Sequence, residues 1–235
     1  MTPTLILTRP AAQSESFAAE IMALWDKPLH IILSPLLEIV PLQAKVTRPH
    51  AVIFTSANGV AAAKTLKLPK GLTAWCVGAK TGRMAQEAGF DPIVGPGDAA
   101  GLVRDIVAAR PSGVLAHIRG MYTRGNVAEH LAAAGIPCME VVAYDQRALP
   151  LTAQAQASLR GQQPVIFPLF SPRTATILNR QGPFSGPVEA IAMSDAVKDV
   201  LDCENFSKVS VAVKPERDAM IAETLAALRR LAAVG

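Results

Sequence analysis

Hydroxyl-bearing residues recur in short turns that each follow an apolar, strand-like run. The four turns are Thr55-Ser56-Ala57-Asn58-Gly59, Gly78-Ala79-Lys80-Thr81, Ser171-Pro172-Arg173-Thr174 and Ser194-Asp195. In an open parallel sheet such turns lie at the carboxyl ends of the strands, where ligands bind. The helix starts there expose backbone N–H groups and a partial positive charge. Ser, Thr and Asn are also ordinary helix caps, but four such turns together predict a site for a ligand with several carboxylates.

Residues that could hold a metal or a nucleotide form no complete motif. The histidines, His30, His50, His117 and His130, are dispersed without metal-ligand spacing, and His117 is interpreted as a core histidine. The segment Gly95–Gly101 resembles a dinucleotide fingerprint, but it is one residue too long and has a proline in its first gap. Neither a GxxxxGK phosphate loop nor a GxSxG hydrolase elbow occurs. A nucleotide-dependent enzyme is therefore a disfavoured alternative.

The composition is that of a folded protein with a mild positive charge. Half of the 235 residues are apolar and 18% are charged, which excludes a disordered chain. Aromatic residues make up 5% and are not interleaved with basic residues, so no nucleic-acid partner is expected. The net charge of +4 is explained most simply by a solvated surface, and it also fits a preference for an anionic small molecule.

Cysteine usage and apolar runs bear on the compartment. Cys76, Cys138 and Cys203 lie far apart and form no CxxC pair, which is typical of reduced thiols in a cytoplasmic protein. The segment Met1–Arg9 lacks the basic and apolar regions of a signal peptide. The apolar runs are much shorter than a membrane span requires. We therefore expect a cytoplasmic protein without membrane contact.

Short strand-like runs alternate with helix-like patterns along the chain. The strand candidates are Leu5–Thr8, Leu29–Leu33, Ala51–Thr55, Ala74–Val77, Pro92–Val94, Val114–Ile118, Val165–Phe167, Glu189–Ala192 and Val209–Val213. Between them apolar residues recur at helical spacing, as at Phe17, Ile21 and Leu24. This alternation predicts an α/β fold of parallel sheets flanked by helices.

The chain also contains an internal duplication. Val52–Phe54 with its turn resembles Val165–Phe167 with its turn, and Leu5–Arg9 with its helix resembles Ala116–Gly120 with its helix. In the copy formed by the middle of the chain, the unit of Ala116–Gly120 and its helix comes last. In the flanking copy its counterpart, Leu5–Arg9 with its helix, comes first. One of the two copies must therefore be assembled from both ends of the chain.

The duplication predicts two similar lobes. Residues 44–140 form a continuous lobe, and residues 1–35 plus 149–235 form a discontinuous one. The chain crosses between the lobes at residues 36–43 and 141–148. Both crossings have strand-like composition, so we expect them to pair as a two-stranded β-ladder hinge. Lobes joined in this way leave a cleft, and clefts at domain interfaces are preferred ligand sites.

Motifs at these positions carry a family resemblance. They are Thr8-Arg9-Pro10, Ser34-Pro35, Phe54–Gly59, Val77-Gly78 with Thr81, Arg119-Gly120 with Arg124, Val142–Tyr144, Phe170–Pro172 and Ser194. In order and spacing they resemble the uroporphyrinogen-III synthase family over nearly the whole chain. The resemblance implies a lyase that cyclises hydroxymethylbilane, a linear tetrapyrrole with eight carboxylates, to uroporphyrinogen III with loss of water and inversion of the terminal ring. In the family this is a step of porphyrin, tetrapyrrole and haem biosynthesis that needs no cofactor.

The resemblance assigns roles to particular side chains. Tyr144, on the second crossing, matches the family tyrosine thought to help the hydroxyl depart, and a phenol is neutral at pH 7 and can donate a proton. The substrate-binding positions are Arg9, Ser56, Asn58, Thr81, Arg119, Gly120, Ser171 and Ser194. Further charge partners are Lys80, Arg124 and Arg147. Many family members have Thr at the last turn, where this chain has Ser194-Asp195. A carboxylate there would repel bound carboxylates, so Asp195 must point away or the site differs.

An alternative from another class is a non-catalytic bilobal binding protein or sensor that closes on an anionic small molecule. A periplasmic binder would need a signal peptide, and a sensor would need an output domain for which the chain has no room. The synthase is therefore the favoured interpretation. Its expected partner is the small molecule hydroxymethylbilane, with a transient contact with the upstream bilane-forming enzyme left open, and a monomer is expected.

Overall fold

The computed structural model describes residues 2–123 and 125–232. The chain forms two compact units. Unit 1 combines Met1–Glu38 with Ala148–Gly235, and unit 2 is the continuous segment Ile39–Arg147. Arg124, one of the expected charge partners, lies outside the described residues.

Unit 1 is built around a parallel sheet. Its elements are β1 (Thr4–Leu7), α1 (Ala11–Leu24), β2 (His30–Leu33), α6 (Ala153–Leu159), β9 (Val165–Leu169), α7 (Pro172–Asn179), β10 (Val188–Ala192), α8 (Asp195–Lys198), a short 3-10 helix (Cys203–Asn205), β11 (Lys208–Val211) and α9 (Arg217–Ala232). The strand order is β11-β10-β9-β1-β2. The first strand of the chain therefore lies inside the sheet, between β9 and β2.

Helices cover both faces of this sheet because its strands are apolar on both sides. Leu5 and Leu7 of β1 pack into one cluster with α1 and α9, whereas Ile6 packs into the opposite cluster with α6 and α7. Successive strand residues point to opposite faces, which accounts for this division. Helix α1 buries Phe17 and Ile21, spaced as one helical face requires. Unit 1 is thus a three-layer α/β unit.

Unit 2 is built around a second sheet. Its elements are β3 (Leu37–Pro41), β4 (Ala51–Phe54), α2 (Ala57–Ala63), β5 (Thr73–Cys76), α3 (Ala79–Glu87), β6 (Asp91–Val94), α4 (Ala99–Ala109), β7 (Leu115–Gly120), α5 (Val127–Ala133) and β8 (Cys138–Ala148). The strand order is β3-β8-β7-β4-β5-β6, and the pairs from β8 to β6 are parallel. Val52 and Phe54 face α2 and α3, and Ala51 and Ile53 face α4 and α5.

The two crossing segments are strands of the sheet in unit 2. Leu42 donates its N–H to the carbonyl of Ala143, and Leu149 donates to the carbonyl of Leu36. Between these two hydrogen bonds the residue number falls from 42 to 36 in one segment while it rises from 143 to 149 in the other, so β3 runs antiparallel to β8. Strand β8 also pairs with β7 on its other side, so these crossings extend a larger sheet.

The strand orders confirm the duplication seen in the sequence. The order β8-β7-β4-β5-β6 in unit 2 matches the order β2-β1-β9-β10-β11 in unit 1, strand for strand. Strand β4 then corresponds to β9, and β7 corresponds to β1. These are the pairs expected from Val52–Phe54 with Val165–Phe167 and from Ala116–Gly120 with Leu5–Arg9. The α/β class with parallel sheets flanked by helices is confirmed.

Two further observations concern the described residues alone. None of their helices is long and apolar enough to cross a membrane. They also contain no group of three or more His, Cys, Asp or Glu side chains placed to hold a metal ion.

Candidate functional site

Tyr144 and Ser56 form a hydrogen-bonded pair in unit 2. The Tyr144 Oη atom lies 2.9 Å from Ser56 Oγ, and either hydroxyl can be the donor. Ser56 is the N-cap of α2, and its oxygen accepts the N–H of Gly59 at 3.2 Å. The tyrosine is only 4% exposed. Its hydroxyl is therefore held in place by a side chain that is itself fixed to a helix start.

A bulge in β8 directs the tyrosine toward Ser56. Arg119 of β7 pairs with Val142, but the next residue, Gly120, pairs with Tyr144, so β8 contains one extra residue there. Regular alternation would place Ala143 and Tyr144 on opposite faces, yet both belong to the same buried cluster as α2. A bulge of this kind re-aims a side chain beside a site.

Two glycines make the close packing around this pair possible. A Cβ atom added to Gly120 would lie 2.6 Å from Cε2 of the Tyr144 ring, and one added to Gly59 would lie 2.7 Å from the carbonyl oxygen of Ile118. Both distances are too short for a side chain. Gly120, expected as a substrate-binding position, thus leaves the space that the tyrosine ring occupies.

The pair opens into a polar pocket of about 360 Å³ within unit 2. Its described lining residues are Thr55, Ser56, Val77, Gly97, Asp98, Ala99, Gly120, Tyr122, Thr123, Tyr144 and Gln146. They lie at the ends of β4, β5, β6 and β7 or in the turns and helix start that follow, and in β8, at the carboxyl ends of the parallel strands. This is the edge where an open parallel sheet binds ligands. The described lining has hydroxyl and amide groups and one charged side chain, Asp98.

Sequence reasoning missed several of these residues. Gly97 and Asp98 belong to the glycine-rich segment Gly95–Gly101, which the sequence led us to compare only with a nucleotide motif. Its position directly after a strand is the signal that could have identified these two residues. Asp98 is the N-cap of α4, since its carboxylate accepts the N–H of Gly101 at 2.8 Å. Tyr122 and Gln146 had no recognisable motif. They reach the pocket through the loop after β7 and through β8.

Behind the pocket, Thr55 contacts a buried histidine. Its Oγ1 lies 3.0 Å from Nε2 of His117 on β7. His117 is 0% exposed, and burial lowers the pKa of its imidazole to about 4. The interpretation as a core histidine is therefore correct for its burial. The ring is only half satisfied, however, because Nδ1 has no hydrogen-bond partner among the described residues.

In unit 1, Ser171 repeats the capping geometry of Ser56. It is the N-cap of α7, and its oxygen accepts the N–H of Thr174 at 3.2 Å. Ser194 stands before α8, but its side chain makes no capping hydrogen bond. Asp195, the departure from the family pattern, is exposed in the first turn of α8. The two serines follow adjacent strands, β9 and β10, within the same sheet.

Arg9 also lies in unit 1, just after β1. Its guanidinium carbon is 4.2 Å above the centre of the Phe170 ring. Burial, followed by the positive charge of Arg217, lowers the pKa of Arg9. Arg9 forms no salt bridge within the described ranges. Its charge is thus oriented by an aromatic face beside Ser171, and the role as a carboxylate partner stays a prediction.

The remaining expected cations have different surroundings. Arg119 pairs with Glu140 at 2.8 Å and also donates to the carbonyl of Gly120. Arg147 lies 3.7 Å from Asp145 and is largely exposed. Lys80 is exposed at the start of α3. Arg119 therefore stabilises the end of β7, while Arg147 and Lys80 lie at the surface.

Two expected substrate-binding residues lie on helices at this edge of unit 2. Thr81 is buried in the first turn of α3, at 5% exposure. Asn58 lies in the first turn of α2, two residues after Ser56, and is partly exposed. The pocket described above brings together Tyr144, Ser56 and Gly120. Neither Thr81 nor Asn58 is in its described lining, so their roles stay predictions.

The fold and site define a class of protein: a duplicated three-layer α/β protein with hydroxyl-rich strand ends and a buried tyrosine hydrogen-bonded to a half-buried serine. Comparison with known families narrows this class. The family model described as uroporphyrinogen-III synthase HemD matches residues 23–222. The chain belongs to the uroporphyrinogen-III synthase family.

Individual relatives agree with this assignment. A uroporphyrinogen-III synthase of Chlorobaculum parvum is 28% identical over 158 residues, which are 60% of this chain and 63% of that protein. The crystal structure of uroporphyrinogen-III synthetase from Helicobacter pylori 26695 has a TM-score of 0.69 at 17% identity, over 97% of this chain and 100% of the other. A mutant uroporphyrinogen III synthase from the extremely thermophilic bacterium Thermus thermophilus has a TM-score of 0.51 at 14% identity, over 97% and 99%. These structures share the fold of this chain.

Proposed function

We propose that the protein is a uroporphyrinogen-III synthase, which converts hydroxymethylbilane to uroporphyrinogen III with loss of water. The observation that carries the proposal is the Tyr144 hydroxyl, fixed by Ser56 at 2.9 Å beside a polar pocket in a member of this family. The pocket has room for part of a tetrapyrrole. Its hydroxyl groups suit the carboxylates and the leaving hydroxyl of such a substrate.

The first chemical step is departure of the hydroxyl from the terminal ring of the bilane. Tyr144 donates its phenolic proton to this oxygen, the C–O bond breaks and water leaves, and the electron-rich pyrrole is left as an azafulvenium cation; returning the pyrrole N–H proton to the phenolate gives the azafulvene. Ser56 supports this role because its oxygen is occupied by the Gly59 N–H. Its own hydrogen can then point at Tyr144 Oη, which frees the phenolic hydrogen for the substrate.

The second requirement is control of the ring that closes. Spontaneous attack on the azafulvene by the free α-carbon of the opposite terminal ring gives the unrearranged isomer, so the protein must hold that ring where its substituted α-carbon attacks instead and forms the spiro intermediate. That is a positioning effect. Carboxylates are the available handles on the substrate. We assign their binding to the strand-end residues of each unit: Ser56, Asn58, Thr81, Arg119 and Gly120 in unit 2, and Arg9, Ser171 and Ser194 in unit 1.

A coupled assay tests this proposal directly. Freshly generated hydroxymethylbilane is supplied to the purified protein, and the type I and type III products are separated. We expect the type III isomer to predominate with the protein and the type I isomer to predominate in a reaction with heat-denatured protein. A product mixture identical to the blank would overturn the proposal and leave the non-catalytic binder as the interpretation to test.

The cellular setting of the reaction belongs to the same proposal. We place the enzyme in the cytoplasm as a monomer, with a transient contact with the bilane-forming enzyme that precedes it. The reason for such contact is chemical, because the free bilane closes spontaneously. Adding the preceding enzyme in excess over the synthase should lower the type I fraction if substrate passes between them. An unchanged fraction would exclude the contact.

A further inference from the structure

Thr55 lies in the pocket lining, immediately before Ser56 at the end of β4. It has no role in the tyrosine chemistry described above. Its Oγ1 is nevertheless 3.0 Å from Nε2 of His117, which comes from the neighbouring strand β7. Burying a polar group is costly unless it is hydrogen-bonded. The contact therefore needs an account of which atom donates.

The surroundings of the imidazole determine the donor. A charged ring would need acceptors for both of its N–H groups, and Nδ1 has none among the described residues. The ring is therefore neutral. With the hydrogen on Nδ1, a buried N–H would be left without an acceptor, which is rare in folded proteins. With the hydrogen on Nε2, the group left without a partner is the lone pair of Nδ1, which is less costly than an unpaired N–H. We therefore infer that Nε2–H donates to Thr55.

This donation determines what the threonine hydroxyl can do. A hydroxyl has one hydrogen to donate, and when Thr55 accepts from His117 that hydrogen must find another acceptor. Within the described part of the chain, Oγ1 has His117 as its hydrogen-bond partner and no second one. Thr55 is partly exposed and lines the pocket, so its hydrogen points to the pocket side, where water or an acceptor atom of a bound ligand can receive it.

We propose that Thr55 binds a carboxylate of the bilane through its hydroxyl, and that His117 is a positioning residue that turns the hydroxyl hydrogen into the pocket. The proposal rests on the proposed function for the identity of the ligand. A carboxylate fits because its oxygens only accept hydrogen bonds. The described pocket lining combines neutral donors with one carboxylate, Asp98, and Thr55 is one of those donors.

Matched variants separate this role from packing. Thr55→Val keeps the shape of the side chain and removes the hydroxyl, Thr55→Ser keeps the hydroxyl, and His117→Gln keeps an N–H donor. We expect Thr55→Val to raise the KM for hydroxymethylbilane roughly tenfold, as for a hydrogen bond to a charged group, with a smaller change in kcat and a larger type I fraction. Thr55→Ser should restore the KM and the type I fraction. His117→Leu should change both in the same direction as Thr55→Val, and His117→Gln should change them less.

A control variant is available in the same unit. Thr65 donates its hydroxyl to the carbonyl of Ala62 on α2, outside the described pocket lining. Thr65→Val should therefore leave KM and the isomer ratio unchanged. If Thr55→Val does not fold, Thr55→Ala replaces it, with Thr55→Ser as the rescue. A folded Thr55 variant without the hydroxyl that keeps the wild-type KM and isomer ratio would overturn the inference.

The tautomer is measured without substrate. Nitrogen-15 NMR of histidine-labelled protein at neutral pH should show His117 neutral with its hydrogen on Nε2. A hydrogen on Nδ1 would overturn the positioning role. If wild-type protein forms no type III isomer, the proposed function fails and the carboxylate assignment fails with it. If wild-type protein is active and only the Thr55 or tautomer result is negative, this inference alone fails.

Discussion

The orientation of the Tyr144 hydroxyl depends on Ser56, which also caps α2. One hydroxyl group thus serves a helix start and a proposed proton donor. The Ser56 hydroxyl is held in place because moving it would leave the backbone N–H of Gly59 without its acceptor. It therefore gives Tyr144 a fixed hydrogen-bond partner. Substitutions at the two ends of the pair should therefore have different consequences.

Tyr144→Phe should slow turnover while leaving the fold intact. The ring that packs against Gly120 is retained, and only the phenolic hydroxyl is removed. We expect kcat to fall by roughly 10–100-fold, the lower range for acid–base catalysis, with little change in the thermal midpoint. Steady-state kinetics on fresh hydroxymethylbilane measure this. Full kcat in the variant would exclude a role for Tyr144 as the acid.

The burial of His117 predicts a particular pH dependence of stability. Burial lowers the pKa of His117 to about 4, with Glu140 opposing and Arg119 adding to the shift. The unfolded chain, with an ordinary histidine pKa near 6.5, binds the proton first as the pH falls. The free energy of unfolding should therefore decrease between about pH 6.5 and pH 4 by at most about 1.4 kcal/mol per pH unit, and this term vanishes above pH 6.5.

Comparing the wild type with His117→Gln isolates the contribution of this histidine to the pH dependence of the free energy of unfolding. All carboxylates are common to both proteins, so the difference between their denaturation curves reports the histidine. The variant should lose stability less steeply than the wild type across this interval. Parallel curves would show that the histidine is protonated equally in the folded and unfolded states.

At the scale of elements, the strand–helix turns of unit 1 allow capping to be separated from binding. Ser171 caps α7 with its side chain, whereas Ser194 makes no such bond before α8. Ser171→Ala should lower the free energy of unfolding by about 1 kcal/mol, and Ser194→Ala should change it by much less. If both serines bind carboxylates, both variants should raise the type I fraction. Chemical denaturation and product separation measure the two effects.

The result would be informative in either direction. An isomer ratio that changes only with Ser171→Ala, in step with stability, would attribute the effect of Ser171 to loss of the helix cap and would exclude Ser194 from carboxylate binding. Equal changes in stability would contradict the capping geometry. Because the two serines follow adjacent strands of the same sheet, each variant also serves as the control for the other.

The elements could be predicted from the sequence more completely than the site. Apolar runs bounded by turns located the strands, because strands buried on both faces are apolar throughout. Tyr144 and Ser56 were both singled out, but their pairing could not be, since 88 positions separate them. The bulge in β8 that makes it possible has no local sequence signal. The pocket residues Tyr122 and Gln146 were missed for the same reason.

The charged positions show a different limit. The binding role expected for Arg119 stays a prediction, whereas its ion pair with Glu140 could not be foreseen because Glu140 has no distinguishing pattern in the sequence. Arg9 was expected at the same kind of site, and it lies over Phe170. Sequence spacing predicts which strand end a residue occupies. The partner of its side chain depends on the neighbouring strands.

At the scale of the whole molecule, charge should affect encounter with the substrate. The net charge is +4, and the proposed substrate is a polyanion. Raising the salt concentration from about 50 to 500 mM shortens the range of this attraction, so kcat/KM should fall severalfold while kcat changes little. Thermal midpoints at both concentrations control for unfolding. A kcat/KM independent of salt would exclude electrostatic steering.

The place of β1 in the sheet of unit 1 has a consequence for the newly made chain. This strand is synthesised well before its neighbour β9, which begins at Val165. While the ribosome makes Ile39–Arg147, which is continuous, the apolar residues Leu5, Ile6 and Leu7 lack most of their final neighbours. Unit 2 can fold during this interval. Strand β1 therefore stays unpaired with β9 until the later residues are made. During that time its apolar side chains are exposed, which makes this segment prone to aggregation and a candidate for chaperone binding.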